Sequence, residues 1–202
     1  MKLYYAKGAC SLSAHISLHE AGLPVELTRV DTKTKTLEGG GDFYQINPKG
    51  YVPALILDDG QMLTEVAAVL QYIADLKPAA QLAPPAGTME RYRLIEWLSF
   101  VSSELHKSYS PLFKPDTPED YKPIIRKLIG QRQAFVNEQL KGRPYLLGDS
   151  FSVADAYLFV VTNWSRAVNV DISAFAELQQ FMERVRKRPA VQAAMKAEGL
   201  LK

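Results

Sequence analysis

The chain contains only one cysteine, Cys10, in 202 residues. A single thiol excludes an internal disulfide framework and any zinc or iron–sulfur site that needs several cysteines. Chains without disulfides are typical of reducing compartments. We therefore expect a cytoplasmic protein without a metal centre.

An excess of charge of one sign and long apolar runs are also lacking. The 24 basic and 22 acidic residues leave a net charge of +2, which is too small for bulk attraction to nucleic acid or to a membrane surface. No apolar run reaches the roughly 18 residues of a membrane span, and the first residues lack the apolar region of a secretory signal. The expected partner is a small molecule or another protein, with no nucleic acid and no membrane.

One segment, residues 77–87, interrupts the regular patterns of the chain. It holds three prolines and one glycine, and none of its residues completes a helical or alternating pattern. The composition, with 47% apolar and 23% charged residues, is that of a folded chain, and the length fits one to two domains. We predict a first domain over residues 1–77, a linker over 78–87 and a second domain over 88–202.

The apolar patterns of the first domain predict the element order βαβαββα. Short β-favouring runs alternate with turn signals, and Ala14, Leu18 and Ala21 recur at helical spacing before Gly22. Beyond the linker, every pattern is helical. Helices are predicted at about 88–110, 118–140, 152–168, 173–187 and from Pro189. The predicted fold class is therefore α/β followed by all-α.

Cys10 lies between the first strand and the first helix. Gly8 and Ala9 before it are small enough to let a ligand approach the backbone, and the helix begins at Ser11. A thiol at a helix N-terminus faces unpaired N–H groups and the positive end of the helix dipole, which stabilise a thiolate. A lone cysteine can equally be a small buried apolar residue, so both interpretations stay open at this point.

Two further places could hold a peptide-like ligand. The helix start at Thr64-Glu65-Val66 offers backbone N–H groups for an anion and a carboxylate for an ammonium group, although Thr64 could simply cap the helix. If the bond before Pro53 is cis, the N–H and C=O of Val52 face outward and can pair with an extended peptide. A trans proline at a strand edge is the commoner alternative.

The helix over about 88–110 carries a polar stripe. Ser99, Ser102, Ser103 and His106 fall within about 100° of one another at 100° per residue. Small serines are unusual on an exposed helix, where stronger helix formers are available. The stripe either lines a cleft or is a solvated face.

Two other motifs are predicted to be structural. His15 and His19 have the spacing of metal ligands, but no third ligand accompanies them, so we interpret them as exposed helix residues. Ser152 and Asp155 have the spacing of a capping box at a helix start.

Several motifs together resemble the bacterial beta-class glutathione S-transferases, and the resemblance runs from end to end of the chain. The motifs are Gly8-Ala9-Cys10-Ser11-Leu12-Ser13, Asn47-Pro48-Lys49-Gly50, Val52-Pro53-Ala54-Leu55, Leu63-Thr64-Glu65, Ile95-Glu96-Trp97-Leu98, Glu104-Leu105-His106-Lys107 and Phe151-Ser152-Val153-Ala154-Asp155-Ala156-Tyr157-Leu158. The resemblance implies a thioredoxin-like first domain and an all-helical second domain.

The resemblance also implies a cytoplasmic homodimer that functions in detoxification. Glutathione is its co-substrate, with no other cofactor, and the enzyme conjugates the glutathione thiolate to hydrophobic electrophiles. The implied catalytic residues are Cys10, Ser11 and His106. The implied glutathione-binding residues are Cys10, Lys35, Val52, cis Pro53, Glu65, Val66, Ser99, His106 and Lys107. The implied walls of an electrophile cleft between the domains are Tyr5, Ala9, Tyr109, Leu112 and Phe113.

Three positions depart from the family pattern. Tyr51 stands where glutamine is usual, Val66 where a small residue is frequent, and Ser99 where asparagine is common. A backbone contact at Val66 survives any side chain, whereas Ser99 removes an amide from the expected site.

Two alternatives to conjugation remain. With Cys10 as the nucleophile, the same fold would perform thiol–disulfide exchange, dehalogenation or peroxide reduction through a mixed disulfide. Alternatively, the chain is a non-enzymatic binding protein on this scaffold, because a fold does not fix a function. Retention of Cys10, Ser11, Glu65 and His106 argues against the second alternative.

Overall fold

In the computed structural model, which describes residues 1–201, the contacts of the chain divide it into two units. Unit 1 comprises Met1–Ala83 and the residues from Arg188 onward, and unit 2 comprises Pro84–Lys187. The last helix thus packs with the first residues of the chain. The functional domain boundaries predicted from the sequence stay a prediction beside this division by contacts. No helix of the described residues is long and apolar enough to cross a bilayer.

The regular elements alternate in unit 1 and are helical in unit 2. The strands are β1 (Lys2–Tyr5), β2 (Glu26–Asp31), β3 (Thr36–Leu37), β4 (Ala54–Ile56) and β5 (Met62–Thr64). The α-helices are α1 (Ser11–Glu20), α2 (Val66–Leu76), α3 (Met89–Phe100), α4 (Lys107–Tyr109), α5 (Tyr121–Gln139), α6 (Val153–Asn163), α7 (Ala176–Arg186) and α8 (Pro189–Ala197). This order confirms the predicted class of a thioredoxin-like half and an all-helical half.

The sheet of unit 1 is mixed, with strand order β3-β2-β1-β4-β5. β1 pairs parallel with β2 and antiparallel with β4, so that Leu3 lies opposite both Leu27 and Leu55. Leu3 and Leu55 have no exposed surface. Because α1 connects two parallel neighbouring strands, its first residues lie at the carboxyl end of β1. This connection puts Cys10 at that end of the sheet.

α1 is buried along most of its length. Every residue from Ser11 to Leu18 is buried, and the helix packs against β1, α2 and α8. Neighbours on several sides explain why its apolar residues do not form one narrow stripe.

The connection from β2 to β4 differs in detail from the predicted order. Instead of a second α-helix, it contains the two-residue β3 and a 3-10 turn over Phe43–Gln45. Gly39, Gly40 and Gly41 all adopt positive φ angles, from 88° to 111°, which an α-helix cannot contain. Asp42 then caps the turn by accepting from the Tyr44 N–H at 2.9 Å.

In unit 2, α3 continues through a π-helical segment over Val101–His106 into α4 and a 3-10 turn over Ser110–Phe113. Leu94, Leu98, Val101 and Leu105, which follow one another at intervals of three or four residues, have no exposed surface. α6 is buried at every residue from Val153 to Thr162, as expected of a helix in the middle of its unit.

The predicted capping box at the start of α6 is confirmed. The Asp155 carboxylate accepts hydrogen bonds from the Leu146 N–H, the Ser152 N–H and the Ser152 hydroxyl, at 2.7 to 2.8 Å. Complete burial raises the pKa of Asp155 to about 6, against the lowering effect of these hydrogen bonds. The motif therefore joins the loop at Leu146 to the helix start.

Candidate functional site

Cys10 ends the loop between β1 and α1 and directly precedes the first residue of the helix, Ser11. Cys10 is the N-cap residue of α1, and its side chain is 7% exposed. Gly8 has a φ of 67°, a conformation that favours glycine. The Cys10 thiol donates to the backbone carbonyl of Val52 at 3.2 Å. This contact ties the helix start to the loop before β4.

Ser11 contacts the backbone of the same loop through its buried hydroxyl. Its hydroxyl accepts from the Ala6 N–H at 3.1 Å and lies 3.3 Å from the Ala6 carbonyl, to which it donates. The side chain has no exposed surface. The catalytic role implied for Ser11 stays a prediction, and the observed contacts give it a structural role.

The loop before β4 has the backbone geometry that the family resemblance implied. The Val52–Pro53 bond is cis. The Val52 carbonyl accepts from the Cys10 thiol, and the second lone pair of its oxygen can still accept from a ligand. No described residue accepts a hydrogen bond from the Val52 N–H. The N–H of Val52 can therefore pair with an extended ligand, and so can the second lone pair of its carbonyl oxygen.

At the start of α2, Glu65 adopts a strained backbone conformation. Its φ and ψ are 67° and 120°, and such a non-glycine conformation costs about 1 to 3 kcal/mol. Glu65 is the N-cap residue, so Thr64 is not the side-chain cap considered in the sequence analysis. Within the described part of the chain, the Val66 N–H has no acceptor. A strained residue beside an unpaired N–H indicates a binding function.

Lys49 is a member of this group that the sequence analysis did not include in the site. Its ammonium group contacts Glu65 Oε1 at 2.8 Å and the Thr64 hydroxyl at 3.0 Å. The Lys49 and Glu65 side chains are 50% and 70% exposed, so a ligand can compete for either. The only signal was the position of Lys49 in the Asn47-Pro48-Lys49-Gly50 turn.

The loop over residues 47–52 connects these groups. Asn47, 1% exposed, donates to the Tyr51 carbonyl at 2.8 Å and accepts from the Lys49 N–H at 3.2 Å. Lys35, which has a φ of 60°, donates from its ammonium group to the Gly50 carbonyl at 2.9 Å. Contacts along one loop therefore connect the expected site residues of unit 1.

In unit 2, His106 is held by aromatic neighbours. Its Nδ1 lies 2.6 Å from the Tyr157 hydroxyl, and its ring makes edge contacts with Tyr157 and Trp164 at centroid distances of 5.8 and 5.0 Å. Tyr157 is 1% exposed, whereas His106 is partly exposed. Tyr157 lies in the motif over residues 151–158 but is not among the site residues predicted from the sequence.

The predicted polar stripe is altered by the π-helical segment. Ser99 lies in regular α3, whereas Ser102, Ser103 and His106 lie in the segment over Val101–His106. Wider π turns change the angle per residue, so the assumed 100° does not apply after Phe100. Ser99, Ser103 and Lys107 are exposed, while His106 contacts the interior of unit 2.

The residues implied as cleft walls differ widely in exposure. Tyr109 has no exposed surface, and its hydroxyl lies 2.6 Å from Ser165 Oγ, which makes it a core residue of unit 2. Tyr5 is 8% exposed, and burial raises the pKa of its phenol. Ala9 and Leu112 are half-buried. Phe113 is 52% exposed and packs its edge against Trp164.

The two helix histidines have different surroundings. His19 is exposed, but His15 is 1% exposed, which corrects the expectation of two exposed residues. His15 Nδ1 contacts Glu198 Oε1 at 3.0 Å, and Glu198 Oε2 accepts from the Gly8 N–H at 2.9 Å. Among residues 1–201, no group of three or more His, Cys, Asp or Glu side chains could hold a metal ion.

Comparisons with known proteins agree over nearly the whole chain. Residues 8–76 match the model of the glutathione S-transferase N-terminal domain, and residues 100–189 match that of the C-terminal domain. The chain is 48% identical to glutathione S-transferase GstA of Escherichia coli O157:H7, over 99% of this chain and 100% of the relative.

Solved structures give the same result. A sphingomonad glutathione S-transferase complexed with glutathione is 45% identical, with a TM-score of 0.96 over 100% of both chains. A beta-class glutathione S-transferase of Sphingomonas chungbukensis is 46% identical, with a TM-score of 0.96 over 100% of both chains.

Proposed function

We propose that the chain, which belongs to the glutathione S-transferase family, conjugates glutathione through its sulfur to the carbon of a hydrophobic electrophile. Relatives at high identity are named glutathione S-transferases, and one related structure is described as complexed with glutathione. The chain is accordingly a transferase, with glutathione as a co-substrate.

One observation in unit 1 carries the proposal. The Val52 N–H and the Val66 N–H have no acceptor among the described residues. Val52 contacts Cys10, and Val66 directly follows Glu65. Glutathione offers an extended backbone for the first N–H and an α-carboxylate for the second, while its ammonium group suits the Glu65 carboxylate. The sulfur of the tripeptide would then lie beside Cys10.

The proposed reaction is a substitution without a change of oxidation state. The glutathione thiol loses its proton, the thiolate attacks the electrophilic carbon, and a carbon–sulfur bond forms as the leaving group departs with its bonding electrons. The proton and the leaving anion are both released. A thiolate is favoured by hydrogen-bond donors and positive potential. The α1 N-terminus and His106 are the groups proposed to supply them.

The remaining residue roles are part of the same proposal. Cys10 would contact the sulfur, Lys35 would pair with the glycyl carboxylate, and Ser11 would act by holding the loop at Ala6. The other proposed glutathione-binding residues are cis Pro53, Ser99 and Lys107. The proposed electrophile contacts are Tyr5, Ala9, Leu112 and Phe113, whereas the burial of Tyr109 favours a supporting role.

Thiol–disulfide exchange is a second candidate function because Cys10 lies at the N-terminus of a ten-residue helix. In this reaction the Cys10 thiolate attacks a disulfide of glutathione, forms a mixed disulfide and releases the other thiolate. A second glutathione then attacks the mixed disulfide, which gives glutathione disulfide and restores Cys10. A helix N-terminus stabilises the attacking thiolate.

The assembly and location are proposed as a cytoplasmic homodimer with a role in detoxification. Exposed large apolar side chains on α3, Met89 at 65% and Tyr92 at 59%, support a surface that a second copy could cover. The lone cysteine supports the cytoplasm. Light scattering on the purified chain tests the dimer, since a molar mass equal to one chain would contradict it.

Two assays on the same preparations test the proposed function. Conjugation of glutathione to a chloronitroaromatic and turnover of a glutathione mixed disulfide are measured for the wild type and for Cys10→Ala. We expect conjugation to survive in the variant and disulfide turnover to be lost. Absence of both activities above background in the wild type would contradict catalysis and favour a binding protein.

A further inference from the structure

We propose that Tyr157 is a positioning residue for His106: its hydroxyl donates to Nδ1 and keeps the proton of the neutral imidazole on Nε2. His106 is thereby held as a hydrogen-bond donor toward an anionic group of glutathione. The inference rests on the proposed function, because it specifies how His106 acts in the same site.

The contact is short and well enclosed. The Tyr157 oxygen lies 2.6 Å from His106 Nδ1. Tyr157 is 1% exposed and belongs to α6, whose residues from Val153 to Thr162 are all buried. The edge contacts of the His106 ring with Tyr157 and Trp164, at 5.8 and 5.0 Å, restrict ring rotation. A buried partner on a packed helix therefore fixes the ring orientation.

The direction of this hydrogen bond follows from the two groups. A phenol is a good donor and a weak acceptor, because its oxygen lone pair is delocalised into the ring. The unprotonated nitrogen of a neutral imidazole is a strong acceptor. Tyr157 therefore donates and Nδ1 accepts.

This direction determines what His106 can do. A neutral imidazole carries its proton on one nitrogen only, and a hydrogen bond at one nitrogen selects the state of the other. With Nδ1 accepting, Nε2 carries the proton and can donate to a thiolate or a carboxylate. The same selection by a neighbouring group orients histidines in metal sites and catalytic triads.

The π-helical segment accounts for how His106 reaches Tyr157. His106 is the last residue of this segment, Val101–His106. One additional residue in a helical turn rotates the following side chains by about 100° relative to a continuous α-helix. Such segments occur frequently at functional sites. The side chain of His106 consequently points to α6 and does not continue the exposed face of Ser99 and Ser103.

Tyr109 provides a matched control. It too is a fully buried tyrosine of unit 2, its hydroxyl also has a neighbour at 2.6 Å, and its ring also contacts Trp164. That neighbour is Ser165, and Gln133 donates to the same hydroxyl at 3.1 Å. Tyr109→Phe thus deletes a comparable hydroxyl that is bonded elsewhere.

The experiment reads the tautomer of His106 directly, by long-range proton–nitrogen NMR on the full-length protein with labelled histidine. The chain has three histidines, and the His106 signals are assigned by their loss in His106→Asn. In the wild type at a pH where the ring is neutral, we expect the protonated nitrogen to be Nε2. We expect Tyr157→Phe to give a mixture of both tautomers and Tyr109→Phe to keep the wild-type pattern.

Two results would overturn the proposal. A wild-type spectrum with the proton on Nδ1 would do so without any variant, even if Tyr157→Phe failed to fold. An unchanged His106 pattern in a folded Tyr157→Phe protein would do so as well.

A conjugation assay separates this inference from the proposed function. If His106 donates to glutathione, Tyr157→Phe should lower kcat/KM about fivefold, the effect of one ordinary hydrogen bond. A wild type without conjugation activity would contradict the proposed function, while the spectrum would still decide the role of Tyr157.

Discussion

The sulfur of Cys10 lies 3.2 Å from the carbonyl oxygen of Val52, the residue that precedes cis Pro53. This contact joins two segments that are 42 residues apart in the chain. One segment begins α1 and the other leads into β4, so the thiol has a structural role in addition to any chemical one.

The first prediction separates these two roles of Cys10. Cys10→Ser keeps a donor for the Val52 carbonyl, whereas Cys10→Ala leaves this acceptor without it. One hydrogen bond contributes about 1 kcal/mol, or about a fivefold change in an equilibrium constant. We expect the KM for glutathione to rise about fivefold in Cys10→Ala and to stay near the wild-type value in Cys10→Ser. Equal KM values in both variants would show that the contact does not support the site.

The second prediction concerns the strained conformation of Glu65. Glycine adopts a positive φ without steric cost, although it also raises the entropy of the unfolded chain. We expect Glu65→Gly to raise the free energy of unfolding by about 1 kcal/mol, as measured by urea denaturation. The loss of the carboxylate should at the same time raise the KM for glutathione about tenfold.

Gln81 provides the control for Glu65, because it is an exposed residue with a φ of 53°. Gln81→Gly should leave the KM for glutathione unchanged. If Glu65→Gly also left the KM unchanged, its carboxylate would have no part in binding.

The third prediction follows from the raised pKa of Asp155. With a folded-state pKa of about 6 and an ordinary value of 3.8, the folded protein binds a proton that the unfolded chain releases between these pH values. This carboxyl therefore makes the protein less stable as pH rises through that window, and the effect levels off above pH 6. The expected loss between pH 4.5 and 7.5 is about 2 kcal/mol.

Asp155→Asn isolates this effect, because the variant cannot titrate at this position. The free energy of unfolding of the wild type minus that of Asp155→Asn should fall from pH 4.5 to 7.5. A difference that stayed constant with pH would mean that Asp155 titrates alike in both states.

The fourth prediction concerns the buried carboxylate of Glu198. It accepts from the Gly8 N–H and contacts His15, and the side chains of Glu198 and His15 are at most 1% exposed. Glu198→Ala removes the carboxylate that contacts the buried His15 ring, which should cost about 3 kcal/mol in the free energy of unfolding. Glu26→Ala, at an exposed pair with Lys2, should change stability little. Similar small losses in both variants would contradict the structural role of Glu198.

Sequence periodicity predicted those elements whose stability comes from apolar burial. The helix of Ala14, Leu18 and Ala21 and the capping residues Ser152 and Asp155 were found because their spacing follows directly from helix geometry. The family motifs likewise identified Val52, Glu65 and His106 as candidates.

Other features could not be predicted, because they depend on distant or weakly encoded contacts. His15 is buried by Glu198, which is 183 residues away. The π-helical segment shifts the backbone hydrogen bonds by one residue. The amino-acid composition of such a segment does not distinguish it from a regular α-helix. The positive φ of Glu65 could not be predicted either, since the sequence signal for a positive φ is a glycine.

The most direct test of glutathione binding by unit 1 is a titration of the nitrogen-labelled protein with glutathione, followed by amide proton–nitrogen NMR. The N–H groups of Val52 and Val66 should each gain an acceptor, so their signals should shift in a saturable way together with that of Cys10. Signals at these three positions that stay unchanged in millimolar glutathione would contradict the account.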